Sequence, residues 1–222
     1  MKTIRRVFLS LLLVSLWSAL QAQVPPDVVN VVKKCSEKMK NPAGVEMVCT
    51  LNVKAMAVIS VNGTLKMYTK GDKSLAKTCI TVLGHEVRTE SGSDGTQDWF
   101  LKPASGDGEK DTVYLVSGKK KDKDEFALDF NLYNEYKKAK MKESNGRYEI
   151  TFSSPKDKDM PSKTILVVNK DDYLFHSMTV KDGAKGFTMT ATRIKFGVDD
   201  GLFVFSAKRY PNAVVVKRDD IH

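Results

Sequence analysis

Residues that could do nucleophilic, acid–base or metal chemistry are few and scattered in this chain. The three histidines lie far apart, and His85-Glu86 lacks the second histidine of a zinc-protease helix. The Ser-x-x-Lys spacing of penicillin-binding enzymes occurs three times, beginning at Ser74, Ser117 and Ser153. Chance accounts for these matches in a lysine-rich chain, because none is joined by the partner motifs of those enzymes. We therefore predict no catalytic residues, no metal site and no cofactor.

Cys35, Cys49 and Cys79 are the candidates for disulfide or redox chemistry. An odd number of cysteines cannot pair completely within one chain, and no C-x-x-C spacing occurs among them. Cys35 and Cys49 fall on apolar faces of the elements predicted below. This favours buried thiols that act as small hydrophobic side chains. The sequence leaves the redox state open.

Residues 1–22 are typical of a secretory signal peptide. Lys2, Arg5 and Arg6 precede an apolar run over residues 7–17, and small and polar residues lead to Ala22. The run is shorter than the roughly 20 residues that cross a bilayer, so we predict cleavage rather than a membrane anchor. Residues 23–222 then form one exported domain, which predicts a periplasmic protein that does not span a membrane.

The charge balance is modestly basic. The chain has 36 basic and 27 acidic side chains and a formal net charge of +9. Loss of the three basic residues of the signal peptide would leave 33 against 27, or +6. Such an excess can favour anionic headgroups or acidic partners, but the lysines are scattered. Because no basic stripe interleaves with aromatic residues, we predict no nucleic-acid binding and assign the charge to solubility.

An amphipathic helix is predicted over residues 28–39. Asp27 follows two prolines and is a candidate N-cap. Four apolar residues then recur at helical spacing, Val28, Val32, Cys35 and Met39. Lysines and Glu37 fill the other side, so this helix must lay its apolar stripe on another element.

A long alternation of apolar residues follows, through Val45, Met47, Cys49, Leu51, Val53, Ala55, Ala57 and Ile59. A period of two predicts a β-strand with one buried face. At about 3.3 Å per residue the strand would approach ~50 Å, which fits a curved sheet better than a flat sandwich. Asn62-Gly63 is typical of a tight hairpin turn at its end.

Shorter strand-like runs and turn signals fill most of the remaining chain. The runs are 64–70, 74–83, 85–90, 96–101, 112–116, 140–143, 147–152, 163–169, 174–181 and 186–196. Their short links predict an antiparallel meander. Residues 125–138 fit either a helix, with Phe126, Phe130 and Tyr133 on one face, or a strand of period two. We favour the helix because residues 134–138 continue without a strand pattern.

The order of helix, long meander, second helix and returning strands covers almost the whole mature chain. Its clearest motifs are Gly63-Thr64-Leu65, Lys70-Gly71-Asp72, SKTILVVNKDDY at 162–173 and LFVFSAKRYPNA at 202–213. These motifs resemble the LolA-type outer-membrane lipoprotein carriers, whose closing segment has the pattern LFxFxxxxYPxx. The resemblance implies a mainly β fold with α elements: an incomplete antiparallel β-barrel, a curved half-barrel whose concave face is plugged by helices.

The resemblance also implies a function without catalysis. A periplasmic monomer would bind the acyl chains of lipoproteins in a hydrophobic cavity. It would shuttle them from an inner-membrane lipoprotein exporter to an outer-membrane acceptor. The cavity lining would be Met47, Cys49, Leu51, Val53, Met67, Trp99, Phe126, Phe130, Phe187 and Met189. The plug helices would contribute Val28, Val32, Cys35, Met39, Leu128, Leu132 and Tyr133. Each methionine fits core packing as well as a cavity wall, and the sequence leaves the two open.

The likeness has one clear departure. Better-studied carriers pin the lid with an arginine on an early strand, where this chain reads Lys70-Gly71-Asp72-Lys73. The same scaffold also serves lipid binders and envelope-stress sensors, since a fold does not fix a function. A periplasmic sensor or structural domain that binds lipid or protein without transport is therefore the alternative.

Overall fold

A computed structural model describes residues 24–56, 59–104, 106, 108–117 and 130–218. The predicted signal peptide, Phe126 and Leu128 lie outside the described residues. Within them the chain forms one α-helix, α1 (Pro26–Met39), and twelve strands. In chain order the strands are β1 (Val45–Met56), β2 (Ile59–Lys70), β3 (Lys73–Val82), β4 (His85–Ser93), β5 (Gln97–Lys102), β6 (Thr112–Ser117), β7 (Tyr136–Ser144), β8 (Arg147–Pro155), β9 (Lys163–Asn169), β10 (Phe175–Asp182), β11 (Lys185–Phe196) and β12 (Val214–Arg218).

All twelve strands belong to one sheet, in the order β12-β6-β5-β4-β3-β2-β1-β11-β10-β9-β8-β7. Neighbours are antiparallel except β12 and β6, which are parallel. The sheet is open, with β7 and β12 as its edges in the described part of the chain. The prediction of a mainly β, largely antiparallel fold is therefore confirmed. No helix among the described residues has the length and apolar character needed to cross a membrane.

The predicted amphipathic helix is confirmed as α1. The prediction that Asp27 is the N-cap is wrong, because the helix begins at Pro26 and Pro25 is its N-cap. The Asp27 carboxylate lies in the first turn and accepts a hydrogen bond from the Val28 backbone N–H at 2.9 Å. The predicted stripe of Val28, Val32, Cys35 and Met39 is at most 1% exposed. These side chains share one buried cluster with residues of β1 and of β7 to β11. The helix therefore buries its apolar face against the sheet.

The single long strand predicted at the start of the sheet is wrong, since β1 ends at Met56 and β2 begins at Ile59. Both strands place their odd-numbered residues on the same face, so the alternation passes from one to the other without a change of phase. The predicted Asn62-Gly63 turn is also wrong, because Asn62 pairs with Asn52 inside the ladder. A Cβ at Gly63 would lie 2.5 Å from a β3 carbonyl oxygen, so glycine here allows close strand approach.

The predicted second helix is wrong where the structure describes it. Leu132 and Tyr133 belong to a 3₁₀ turn, Leu132–Asn134, and β7 begins at Tyr136. The buried Tyr136 hydroxyl lies 2.9 Å from the Pro161 carbonyl oxygen and 2.8 Å from the Thr164 hydroxyl. These contacts hold the residue in the sheet, which outweighs the weak local preference for a helix.

After β11, residues 197–213, here called the C-terminal strap, cross the face of the sheet opposite α1. Val198 and Phe203 of the strap pack with Trp99 in a second buried cluster. The Asp200 carboxylate lies 2.7 Å from Lys70 Nζ and 2.8 Å from Lys73 Nζ. The strap then leads into β12, which explains how a parallel strand joins the edge of an antiparallel sheet.

Leu83 occupies the tip of the β3–β4 hairpin in a conformation that suits a different residue. Its φ is 51° and its side chain is 94% exposed. A left-handed backbone costs a leucine about 1 kcal/mol, whereas Asn-Gly is the preferred pair in such turns. We expect Leu83→Asn to raise the free energy of unfolding by about 1 kcal/mol, measured by urea denaturation. Leu83→Ala, which keeps a Cβ without the local hydrogen bonding of asparagine, should gain less; equal stability of the two variants would contradict the argument.

Candidate functional site

Strand register determines which side chains share the face covered by α1, here called the helix-side face. One row on this face consists of Met141, Ile150, Leu166, Met178, Met189 and Leu51. A second row crosses the other half of the sheet through Met47, Met67, Ala76, Ser91, Phe100, Tyr114 and Val216. Ser91 and the Tyr114 hydroxyl interrupt these rows. On β3 to β5 the same face also carries Thr78, Thr89, Asp98 and Lys102, so that half of the face is mixed, with the apolar row running among polar neighbours.

Most of the predicted lining and plug residues lie together in the cluster beneath α1. Buried members are Met47, Cys49, Phe130, Met189, Val28, Val32, Cys35 and Met39, and partly buried members are Leu51, Met67, Phe187, Leu132 and Tyr133. Met47 and Cys49 are 0% exposed. In this arrangement the covered part of the helix-side face is packed core, and α1 occupies the space above it.

Two predicted lining residues lie elsewhere. Trp99 pairs with Gly92 and Leu115 on the opposite face and is 2% exposed beneath the strap. Val53 lies on the helix-side face opposite Phe187, outside the buried cluster. Phe126 lies outside the described residues. Trp99 is therefore separated from the other lining residues by the thickness of the sheet.

The helix-side face continues beyond α1 onto β5, β6 and β12, where it is accessible. Phe100 is 42% exposed and Val214 is 48% exposed, with Tyr114 and Val216 partly exposed beside them. Sequence reasoning missed these residues. The period of two separates Trp99 from Phe100 onto opposite faces, but it does not say which face a helix covers.

Polar contacts from Lys34 and Ser36 join α1 to the residues packed around it. Lys34 Nζ donates a hydrogen bond to the Tyr173 hydroxyl at 3.3 Å and lies 4.5 Å from the centre of its ring. The Ser36 hydroxyl accepts a hydrogen bond from the Phe130 backbone N–H at 3.3 Å. The buried stripe adds apolar contacts, which are non-directional.

The covered part of the face carries no ionised thiol. Burial raises the pKa of both Cys35 and Cys49 to about 12, with a smaller contribution from Asp172 to the pKa of Cys35. Both thiols are therefore neutral at ordinary pH, and they are free rather than joined in a disulfide. Among the described residues, no group of three or more His, Cys, Asp or Glu side chains could hold a metal ion. Such a face can offer apolar contact to a ligand.

Solved structures of other proteins resemble the fold of this chain. An uncharacterized conserved protein from Thermus thermophilus aligns with a TM-score of 0.53 at 9% identity, over 86% of this chain and 99% of that chain. A LolA superfamily protein from Nitrosomonas europaea and LprF from Mycobacterium bovis give TM-scores of 0.39 and 0.44 at 10% and 13% identity. Each covers 79% of this chain and 96% of its own. No protein-family model and no curated protein matches the sequence. The likeness to the Thermus thermophilus protein indicates a shared fold.

Proposed function

We propose that the chain is a periplasmic carrier that binds the acyl chains of lipoproteins, receiving them from an inner-membrane exporter and delivering them to an outer-membrane acceptor. In this proposal residues 1–22 are removed as a signal peptide, and residues 23–222 act as one monomeric lipid-binding domain without catalysis. The observation that carries it is the extension of the helix-side face beyond α1. Its apolar row begins at the buried Met47, is interrupted at Ser91 and resumes at the exposed ring of Phe100.

The width of the covered face supports a half-barrel with α1 as its plug. Seven neighbouring strands contribute side chains that pack in or against the cluster that contains α1. In sheet order they are β2, β1, β11, β10, β9, β8 and β7. At about 4.8 Å per spacing, seven flat strands would span about 29 Å. A helix with its side chains is only about 10–12 Å across. A sheet that curves around the helix removes this mismatch and creates a concave face.

In this proposal an acyl chain takes the place of the apolar stripe of α1 on the helix-side face. Each methylene removed from water contributes about 0.8 kcal/mol, so a sixteen-carbon chain contributes about 12 kcal/mol. Displacement of α1 would lose the polar contacts of Lys34 and Ser36, about 0.5–1.5 kcal/mol each, and would expose the buried stripe of the helix. The net free energy of exchange is therefore much smaller than the value for the acyl chain alone, which suits a carrier that must also release its cargo. Met47, Met67 and Met189 can also repack around a ligand, because methionine is unbranched and flexible.

The test is transfer of lipid between membranes. The protein would be purified from the periplasm, analysed by native mass spectrometry for bound acyl chains, and mixed with donor vesicles that contain a fluorescent diacylated lipopeptide. We expect the rate of transfer to acceptor vesicles to rise in proportion to protein concentration. Binding without transfer would favour the sensor or structural alternative, and a protein that neither binds nor transfers lipopeptide would refute a lipid-binding role.

A further inference from the structure

A groove of about 540 Å³ lies on the opposite side of the sheet from α1. Its floor is the outer surface of β2 to β5, and its wall is the last part of the C-terminal strap, Arg209 to Ala213. A volume of this size is in the range of small-molecule sites. The groove is independent of the helix-side face, so any ligand here is additional to the proposed acyl-chain cargo.

The acidic side chains in the groove are already engaged by donors of the protein. Glu86 accepts from Arg88 Nε at 2.6 Å and from the Cys79 thiol at 2.7 Å. Glu90 lies 3.0 Å from Lys77 Nζ and accepts from a tyrosine hydroxyl of the strap at 2.5 Å. These contacts occupy carboxylate lone pairs, and they lower the pKa of Glu86 to about 2. A cationic ligand would therefore have to displace existing partners.

The basic side chains keep spare donors. Four cations line the groove, Lys66, Lys77, Arg88 and Arg209, against three carboxylates, Glu86, Glu90 and Asp111. Within the described residues Lys66 forms no ion pair. Arg209 uses Nη1 for the Leu202 carbonyl oxygen at 3.3 Å, and a guanidinium carries five N–H donors in all. The groove therefore presents donors and a small positive excess.

We propose that this groove binds a small ligand bearing a phosphate or carboxylate group, held by Lys66, Arg88 and Arg209. Guanidinium groups suit these oxyanions because their paired N–H donors match the spacing of two anionic oxygens. The anion comes either from a soluble compound or from the headgroup of a lipid, since both present the same chemistry.

Cys79 provides a reporter inside the groove. Its thiol is partly exposed, whereas Cys35 and Cys49 are buried, so thiol reagents reach Cys79 in the folded protein. Its rate of labelling would be measured with two methanethiosulfonates of similar size, one carrying a sulfonate and one a trimethylammonium group. Relative to a small free thiol, we expect the ratio of anionic to cationic labelling to rise about tenfold, because the positive groove concentrates anions. The ratio of the two rates is divided by the same ratio measured with a small free thiol, which cancels the intrinsic reactivity of both the thiol and the reagents.

Two probes identify the source of the anion. Pyrophosphate and dihexanoyl phosphatidic acid would each be added at constant ionic strength, with sodium chloride as the reference. Protection of Cys79 by pyrophosphate alone indicates a soluble anion, and stronger protection by the short-chain lipid indicates a headgroup. Protection by neither probe, or a preference for the cationic reagent equal to or greater than that of the free thiol, overturns the proposal.

Matched charge removals complete the test. Arg88→Gln with Arg209→Gln should abolish both the preference for the anionic reagent and the protection by the probe. Lys138→Gln with Lys140→Gln removes the same charge from exposed positions on β7 and should leave both unchanged. If the two double variants lose the preference equally, the effect is one of overall charge and the groove is not a site. Cys79→Ser, which should remain unlabelled, verifies that the reporter is the labelled thiol.

Discussion

Val214→Asp should weaken lipid binding by at least about tenfold, whereas Val215→Asp should leave it unchanged. The two valines are neighbours on the edge strand β12 and are 48% and 39% exposed. Val214 pairs with Thr112 and points to the helix-side face, and Val215 pairs with Val113 on the strap side. A charge at Val214 would be desolvated by a bound acyl chain, while the lost burial of one valine alone is about 1.5 kcal/mol.

This pair separates a lipid effect from a folding effect. Both substitutions place an aspartate at an accessible position of one strand, so their effects on stability should be similar. Binding would be measured by titration with a fluorescent fatty acid, and folding by circular dichroism. Phe100→Asp, on the same face, should match Val214→Asp. Equal loss of binding at Val214 and Val215, or no loss at either, would mean that lipid does not contact the accessible part of the helix-side face.

Trp99→Ala should lower the free energy of unfolding by about 3–5 kcal/mol, the largest effect we expect from one substitution. The indole is 2% exposed and packs 6.0 Å from the ring of Phe205 in the strap. It also covers Gly92 so closely that a Cβ there would lie 2.2 Å from the ring. Gly92→Ala should therefore cost about 1–3 kcal/mol by overpacking.

The two substitutions at this contact should not add. Without the indole there is room for the new methyl group, so the double variant should be about as stable as Trp99→Ala alone. Urea unfolding followed by circular dichroism gives the four free energies of the cycle. Phe100→Ala is the control, because this neighbouring aromatic residue is exposed and its loss should cost much less. Additive effects of Gly92→Ala and Trp99→Ala would show that the ring and the glycine do not compete for the same space.

The spacing of apolar residues along the sequence predicted features that belong to a single helix or a single strand. The stripe from Val28 to Met39 identified α1, and the alternation that begins at Val45 identified the apolar face of β1. The boundary between β1 and β2 was lost because the apolar period continues in phase across it. The run 140–143 identified the middle of β7, but its start at Tyr136 was assigned to a helix because the contacts of Tyr136 come from Pro161 and Thr164, which are distant in the sequence.

The candidate site was only partly predictable for a related reason. Alternation shows that Trp99 and Phe100 face opposite ways, but a single strand does not reveal what covers each face. That information comes from α1 and from the C-terminal strap, which lie at opposite ends of the described chain. Only the assembled sheet assigns Phe100 and Val214 to the helix-side face and Trp99 to the other.

The pairing of β1 with β11 has a consequence for the time the chain takes to fold. Val45 pairs with Phe196, about 150 residues further along the chain, at the centre of the sheet. Closing so large a loop before its contacts can form makes folding slow. In the proposed export to the periplasm, the chain would cross a narrow channel and would have to stay unfolded until it is across. The late closure of this central ladder would keep the nascent protein in a form that can still be threaded, and would complete the sheet only after the last strands have been delivered.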